Sequence, residues 1–85
     1  MVQEALSKGA VIVDVRSPME FKSGHVNGSI NMPLDTIEDS IHKLKDMNKA
    51  IVLCCASGMR SGSAKSILKR YDIECYNGGG WHSLS

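Results

Sequence analysis

The sequence predicts an α/β fold of three layers, with a central parallel sheet of about four strands between helices. Short β-branched runs alternate along the chain with amphipathic segments of about ten residues, and the connections between them are short. This alternation is typical of right-handed βαβ units. The 85 residues suffice for one domain, 1–85, because a second hydrophobic core would need more chain.

The first half of the chain supplies two strands and two helices. Residues 2–8 place apolar side chains on one face of a short helix that ends at Gly9. Residues 10–15 are almost entirely apolar, which indicates a strand buried on both faces. Ser17, Pro18 and Glu20 form the pattern of an N-cap, an N1 proline and a capping box, so a second helix is predicted from there to Gly24.

The remaining elements follow the same alternation. Residues 25–28 form a turn, and residues 29–32 form a short strand closed by Pro33. A helix is predicted from residue 34 with a second capping box from Asp35 and Glu38, a strand over 49–54, a further helix, and a last strand over 72–76. The inward positions of these two helices are Leu34, Ile37, Ile41, Leu44 and Met47 in the first, and Ala64, Ile67, Leu68 and Tyr71 in the second.

Composition excludes several classes of function. Ten basic residues oppose nine acidic ones, for a net charge of +1, and they are scattered, so no nucleic-acid partner is expected. No run is apolar enough to span a bilayer, and no signal peptide is predicted. The three cysteines, Cys54, Cys55 and Cys75, are an odd number and cannot build a disulfide framework, which favours a reducing, cytoplasmic setting.

The segment 55–61 carries the chemistry. It lies between a predicted strand and a predicted helix, at the carboxyl end of the sheet where ligands bind in open α/β folds. The helix N-terminus favours the anionic form of a thiol placed there, so Cys55 is a candidate nucleophile. Cys54 continues the apolar strand and Cys75 lies in the last strand, so both are predicted to be core residues.

Three segments together resemble the rhodanese family of sulfurtransferases. The loop Cys55-x-x-Gly58-x-Arg60-Ser61 is similar to the family's active-site loop. Residues 14–18, 20–21 and 24–33 resemble its first signature, and residues 78–81 resemble its closing one. The resemblance therefore extends from about residue 11 to residue 81. It implies a rhodanese-like fold from which the usual first edge strand is missing.

The resemblance also implies a mechanism. The Cys55 thiolate would take the outer sulfur of thiosulfate or a similar donor, become a persulfide, and pass the sulfur to a thiol, to cyanide or to a protein acceptor. Neither a cofactor nor a metal is implied. Arg60 would either hold an anionic donor or brace the loop. The backbone that would surround the transferred sulfur belongs to Ala56, Ser57, Gly58, Met59 and Arg60.

Other signature residues receive structural interpretations. Asp14 and Arg16 either orient the loop or buttress a turn, and Glu20 is explained by its capping box. His25 is interpreted as a structural hydrogen-bonding residue, and no cysteine or histidine spacing matches a zinc site. Residues 78–80 are predicted to turn tightly near the site, with Trp81 packed over the sheet.

Two alternatives to sulfur transfer stay open. Cys54 and Arg60 are separated by five residues, which is the spacing in cysteine-based phosphatases, although Ser57 and Leu53 stand where those loops usually carry glycine and histidine. A non-catalytic interaction module is the other, because a fold alone does not establish function.

Overall fold

The computed structural model describes residues 1–84. In chain order the elements are α1 (Val2–Ser7), β1 (Val11–Asp14), α2 (Pro18–Ser23), β2 (Ile30–Asn31), a 3₁₀ helix (Leu34–Ser40), α3 (Ile41–Asp46), β3 (Ile51–Cys55), α4 (Met59–Arg70), β4 (Cys75–Gly80) and a 3₁₀ turn (Trp81–Ser83). Within these residues, none of the helices has both the length and the apolar character needed to cross a membrane.

The four strands form one parallel sheet in the order β2-β1-β3-β4. This confirms the predicted α/β fold with about four parallel strands. Val11 of β1 pairs with Ile51 of β3, and the register continues to Asp14 opposite Cys54. The carboxyl ends of β1 and β3 therefore meet at one edge of the sheet, where Cys55 directly follows the strand partner of Asp14.

Most of the apolar core lies on one face of the sheet. Because successive strand residues point to opposite faces, Val13, Leu53 and Cys55 share this face with Leu68 of α4 and Leu44 of α3, and all are buried in one cluster. On the other face, α1 packs against β3 and β4. Leu84 approaches Val52 there, since a Cβ added to Gly78 would meet both side chains at about 3 Å. The side chain of Cys55 thus lies between the sheet and α4.

The helix predicted from residue 34 is two helices in the structure. Leu34–Ser40 is a 3₁₀ helix and only Ile41–Asp46 is α-helical. The predicted capping box is wrong, because the 3₁₀ helix begins without a side-chain cap and Glu38 instead accepts a hydrogen bond from the Tyr71 hydroxyl at 2.8 Å. Apolar spacings of three and four place residues on one face in either type of helix, so periodicity did not separate them.

The last strand is displaced from its predicted position. It was predicted over 72–76, but β4 is Cys75–Gly80, so the three glycines are strand residues and not a tight turn. Gly79 has φ 80°, whereas Gly78 and Gly80 allow close approach, since a Cβ on Gly80 would lie 2.9 Å from the carbonyl oxygen of Ala56. Glycine is needed there because the neighbouring backbone leaves no room for a side chain.

Candidate active site

Cys55 is the last residue of β3 and has no solvent-exposed surface. Its Sγ accepts hydrogen bonds from the N–H of Gly58 at 3.0 Å and of Ser61 at 3.4 Å, and lies 3.5 Å from the Ser61 hydroxyl oxygen. The sequence placed this thiol at the start of a loop, whereas the structure places it beneath the loop. Polar donors nevertheless face the sulfur from the start of α4.

These donors outweigh the cost of burial. Burial by itself raises the pKa of the Cys55 thiol, but hydrogen bonds from the side chain and N–H of Ser61 and from the N–H groups of Ser57 and Gly58 lower it to about 7. Each bond stabilises the thiolate more than the neutral thiol. A substantial fraction of Cys55 is therefore ionised at neutral pH.

The other two cysteines have the opposite character. Burial, followed by the charge of Asp14, raises the pKa of Cys54 to about 12. Burial also raises the pKa of Cys75. Both are buried free thiols, in agreement with the prediction that they are core residues, and neither is a thiolate near neutral pH.

The loop is shorter than the sequence suggested. Only residues 56–58 separate β3 from α4, and Met59 and Arg60 already belong to the first turn of the helix. Gly58 is the residue before the helix and has φ 101°, a conformation that residues with a Cβ rarely adopt. This turn directs the Gly58 N–H at the sulfur. Ala56, Ser57 and Met59 are exposed above it.

Ser61 and Asn77 complete the surroundings of the sulfur, and neither was among the predicted site residues. The buried Ser61 hydroxyl donates to Asn77 Oδ1 at 2.7 Å, and Asn77 Nδ2 donates to the Gly58 carbonyl at 3.0 Å. Asn77 Oδ1 also accepts from the Gly79 N–H at 2.9 Å. Ser61 stood in the quoted loop motif and could have been found there, but nothing in the sequence marked Asn77.

Arg60 braces the site through Glu20. Its two terminal nitrogens donate to the two Glu20 carboxylate oxygens at 2.7 and 3.0 Å. Of the two roles left open for Arg60, this geometry favours bracing. Glu20 also forms the predicted capping box with Ser17. The Arg60 hydrogen bond, followed by the Ser17 N–H, lowers the pKa of Glu20 to about 2, so this carboxylate is charged wherever the protein is folded at ordinary pH.

A buried ion pair supports the neighbouring strand end. The Asp14 carboxylate accepts three hydrogen bonds from the Arg16 guanidinium at 2.8 to 3.0 Å, and Arg16 also donates to the Gly24 carbonyl at 2.6 Å. The hydrogen bond to Asp14 raises the pKa of Arg16. Trp81 was predicted to pack over the sheet, but its ring lies against the Arg16 guanidinium, 4.7 Å from ring centroid to Cζ. Cation–π attraction and the close contact with Gly24 explain that position.

His25 is held by the helix that precedes it. His25 Nδ1 lies 2.8 Å from the Phe21 carbonyl oxygen and its ring stacks on Phe21, which agrees with the structural interpretation. Across residues 1–84, no group of three or more histidine, cysteine or acidic side chains could hold a metal ion.

The fold and this site define a class of α/β protein with a buried cysteine of lowered pKa at the carboxyl end of a central strand. Comparison with known proteins gives the family: the model of the rhodanese-like domain matches residues 1–84. The chain belongs to this family.

Relatives of known name agree with that assignment. The chain is 39% identical over 57 residues to the thiosulfate sulfurtransferase PspE of Escherichia coli, covering 66% of this chain and 55% of the relative. It is 38% identical over 66 residues to the thiosulfate sulfurtransferase GlpE of Pseudomonas syringae, covering 78% and 61%. The chain thus spans little more than half the length of these relatives.

A solved structure gives the same result for the fold. A rhodanese-like domain protein from Staphylococcus aureus superposes with a TM-score of 0.83 at 31% identity, covering 99% of this chain and 84% of that one.

Proposed function

We propose that this protein is a sulfurtransferase that carries a sulfane sulfur as a persulfide on Cys55. The observation that carries the proposal is the set of hydrogen-bond donors from Ser57, Gly58 and Ser61 that lowers the pKa of this buried thiol to about 7. The thiolate is the nucleophilic form of cysteine. A thiol that only filled the core, as Cys54 does, would have its pKa raised.

The reaction proceeds in two displacements. The Cys55 thiolate attacks the outer sulfur of thiosulfate, a sulfur–sulfur bond forms, the original sulfur–sulfur bond breaks, and sulfite leaves with the electron pair. The resulting persulfide anion then gives its terminal sulfur to cyanide or to a thiolate, and the Cys55 thiolate is regenerated. Covalent catalysis of this kind predicts ping-pong kinetics.

The chain's own groups have defined tasks in this scheme. The N–H groups at residues 56–60 stabilise negative charge on the terminal sulfur, as preorganised donors do at other developing anions. The Cys55 sulfur is buried, and the exposed residues Ala56, Ser57 and Met59 lie in the turn and first helical residue that follow it. A donor is therefore proposed to approach from this side.

The two alternative functions receive less support. A phosphatase loop counted from Cys54 would need that thiol in the site, yet Cys54 points to the opposite face of the sheet from Cys55 and its pKa is raised to about 12. A pure interaction module would not need a cysteine of lowered pKa.

The relatives leave the donor and acceptor open. Two are named as thiosulfate sulfurtransferases, which supports a thiosulfate-like small molecule as donor. Others are a tRNA uridine(34) hydroxylase of Buchnera aphidicola and a tRNA sulfurtransferase of Thermoplasma acidophilum, of which this chain spans 23% and 14%. The proposal keeps thiols, cyanide and a protein as acceptors.

The test is sulfur uptake followed by mass spectrometry. After treatment with thiosulfate, the protein should gain the mass of one sulfur atom, and cyanide should remove it as thiocyanate. Cys55→Ser should abolish the gain, whereas the matched variants Cys54→Ser and Cys75→Ser should retain most of it. If uptake survives in Cys55→Ser and disappears in Cys54→Ser, the nucleophile is Cys54 and the proposal is wrong. If the protein hydrolyses an aryl phosphate and takes up no sulfur, it is a phosphatase and the proposal is wrong.

A further inference from the structure

We infer that Glu20 is a specificity-determining residue that makes the site discriminate against dianionic sulfur donors in favour of donors with one charge and an apolar substituent. The inference rests on the proposed function and names the donor class for that same site. Its basis is the charge around Arg60 and the shape and lining of the cavity beside it.

The positive charge of Arg60 is already matched. Both terminal nitrogens of the guanidinium are bound to the Glu20 carboxylate, and the two side chains are 39% and 38% exposed. An anionic donor that bound Arg60 would have to displace Glu20 or add its own charge beside it. Each added negative charge meets the Glu20 carboxylate, so a dianion such as thiosulfate is disfavoured more than a monoanion.

A second carboxylate, that of Asp35, lines the cavity beside Arg60. An open cavity of about 350 Å³ is lined by Val15, Ser17, Pro33, Leu34, Asp35 and Arg60. With Glu20 bound to Arg60, Asp35 adds a carboxylate without a matching cation among these lining residues. The rest of the wall is mainly aliphatic. The cavity therefore favours apolar groups over multiply charged anions.

One residue that lines this cavity, Val15, lies next to Cys55 in the sheet. The N–H of Val15 donates to the Cys54 carbonyl at 3.0 Å, which places Val15 beside Cys55 on the neighbouring strand. Adjacent parallel strands lie about 4.8 Å apart, and both side chains belong to the same buried cluster. A substituent in the cavity is therefore within reach of a donor sulfur that approaches Cys55.

An aryl thiosulfonate has the chemistry that fits. It carries one negative charge, a terminal sulfane sulfur and an apolar ring. The Cys55 thiolate attacks that sulfur, the sulfur–sulfur bond forms, the bond to the sulfonyl sulfur breaks, and an aryl sulfinate leaves with the electron pair. The persulfide is the same as that formed from thiosulfate, so the two donors differ only in the charge and the group that the site must accommodate.

The first experiment measures the local charge without requiring sulfur transfer. Rates of alkylation of Cys55 by iodoacetate, an anion, and by neutral iodoacetamide are compared in the wild type and in Glu20→Gln. Glutamine can keep the capping box while freeing the charge of Arg60. The ratio of the iodoacetate rate to the iodoacetamide rate should rise about fivefold at low salt. Glu4→Gln, which removes an exposed carboxylate in α1, is the control for net charge and should leave the ratio unchanged.

The second experiment measures the donors themselves. In Glu20→Gln, the rate of sulfur uptake from thiosulfate should increase about five- to tenfold more than the rate from benzenethiosulfonate, since the dianion gains more from the loss of the carboxylate. Because each donor's rate with Glu20→Gln is divided by its rate with the wild type, the different intrinsic reactivities of the two donors cancel. Equal changes for both donors, or an alkylation ratio that Glu20→Gln does not move, would overturn the inference. If the wild type takes up sulfur from neither donor, the proposed function fails, and the alkylation ratio still decides the role of Glu20.

Discussion

Replacing Ser61 by alanine tests the electrostatic basis of the site directly. The Ser61 hydroxyl lies 3.5 Å from the Cys55 sulfur and donates to Asn77 at 2.7 Å. A hydroxyl has only one proton to donate, so the proton must turn from Asn77 to the sulfur when Cys55 ionises. Ser61→Ala removes this donor but retains the Ser61 backbone N–H. Asn77 Oδ1 keeps the Gly79 N–H as a partner, so the variant leaves no acceptor unpaired there.

The size of the effect follows from the energy of one hydrogen bond to a charged group. Such a bond contributes about 1.5 to 3 kcal/mol, and one pKa unit corresponds to about 1.36 kcal/mol. Sulfur is a weak acceptor, so we take the lower end, and the pKa of Cys55 should rise from about 7 to about 8. At pH 7 the thiolate fraction should then fall from about a half to about a tenth. The remaining thiolate should react about threefold faster, because nucleophilicity rises with thiol pKa.

The assay is the rate of alkylation by iodoacetamide as a function of pH. The variant should be slower than the wild type near pH 7 and faster at alkaline pH, so the two profiles should cross. Cys54 and Cys75 contribute little below pH 9 because burial raises both of their pKa values. Ser63→Ala, at an exposed position on the same helix, should superpose on the wild type. A Ser61→Ala profile with an unchanged midpoint, or a wild-type midpoint equal to that of free cysteine, would refute the electrostatic argument.

Three further predictions concern the frame around the site. Asp14→Asn should lower the free energy of unfolding by about 3 to 5 kcal/mol in urea titration, because it leaves the buried Arg16 charge without its partner; a loss below about 1 kcal/mol would contradict this. Gly80→Ala should raise the pKa of Cys55 and slow its alkylation near neutral pH, since the new Cβ would lie 2.9 Å from the Ala56 carbonyl oxygen and displace the loop; an unchanged profile would show that the loop adapts. The pKa of Glu20 is about 2 in the folded protein and about 4.3 in the unfolded chain, so its ion pair stabilises the fold above about pH 4.3, and this stabilisation is lost as the pH falls towards about 2. In Glu20→Gln the free energy of unfolding should therefore depend less on pH between these two values than in the wild type, and salt should reduce the difference because the pair is partly exposed. Equal acid sensitivity of the two proteins would count against the pair.

Local patterns in the sequence were enough to predict the order of strands and helices. The sequence predicted all four strands, two of them from apolar β-branched runs, although β4 lies later than expected. The Ser17 to Glu20 pattern predicted the start of α2 because a capping box involves only neighbouring residues. Cys55 was found the same way, since its position between a strand and a helix N-terminus is visible in the chain. Periodicity could not separate the 3₁₀ helix Leu34–Ser40 from an α-helix, because both place residues three and four apart on one side.

The contacts that define the site come from residues far apart in sequence. Glu20 and Arg60 are 40 residues apart, and Ser61 and Asn77 are 16 apart. The sequence explained Glu20 through its helix cap and gave no reason to select Asn77. Only the parallel sheet brings the end of β1, the loop after β3 and the glycines of β4 to one edge. The sequence by itself singled out Cys55 as the thiol between the central strand and a helix N-terminus. The tertiary structure decided that it ends the strand, and which partners tune its pKa and balance the charge beside it, since such partners are selected by proximity in space.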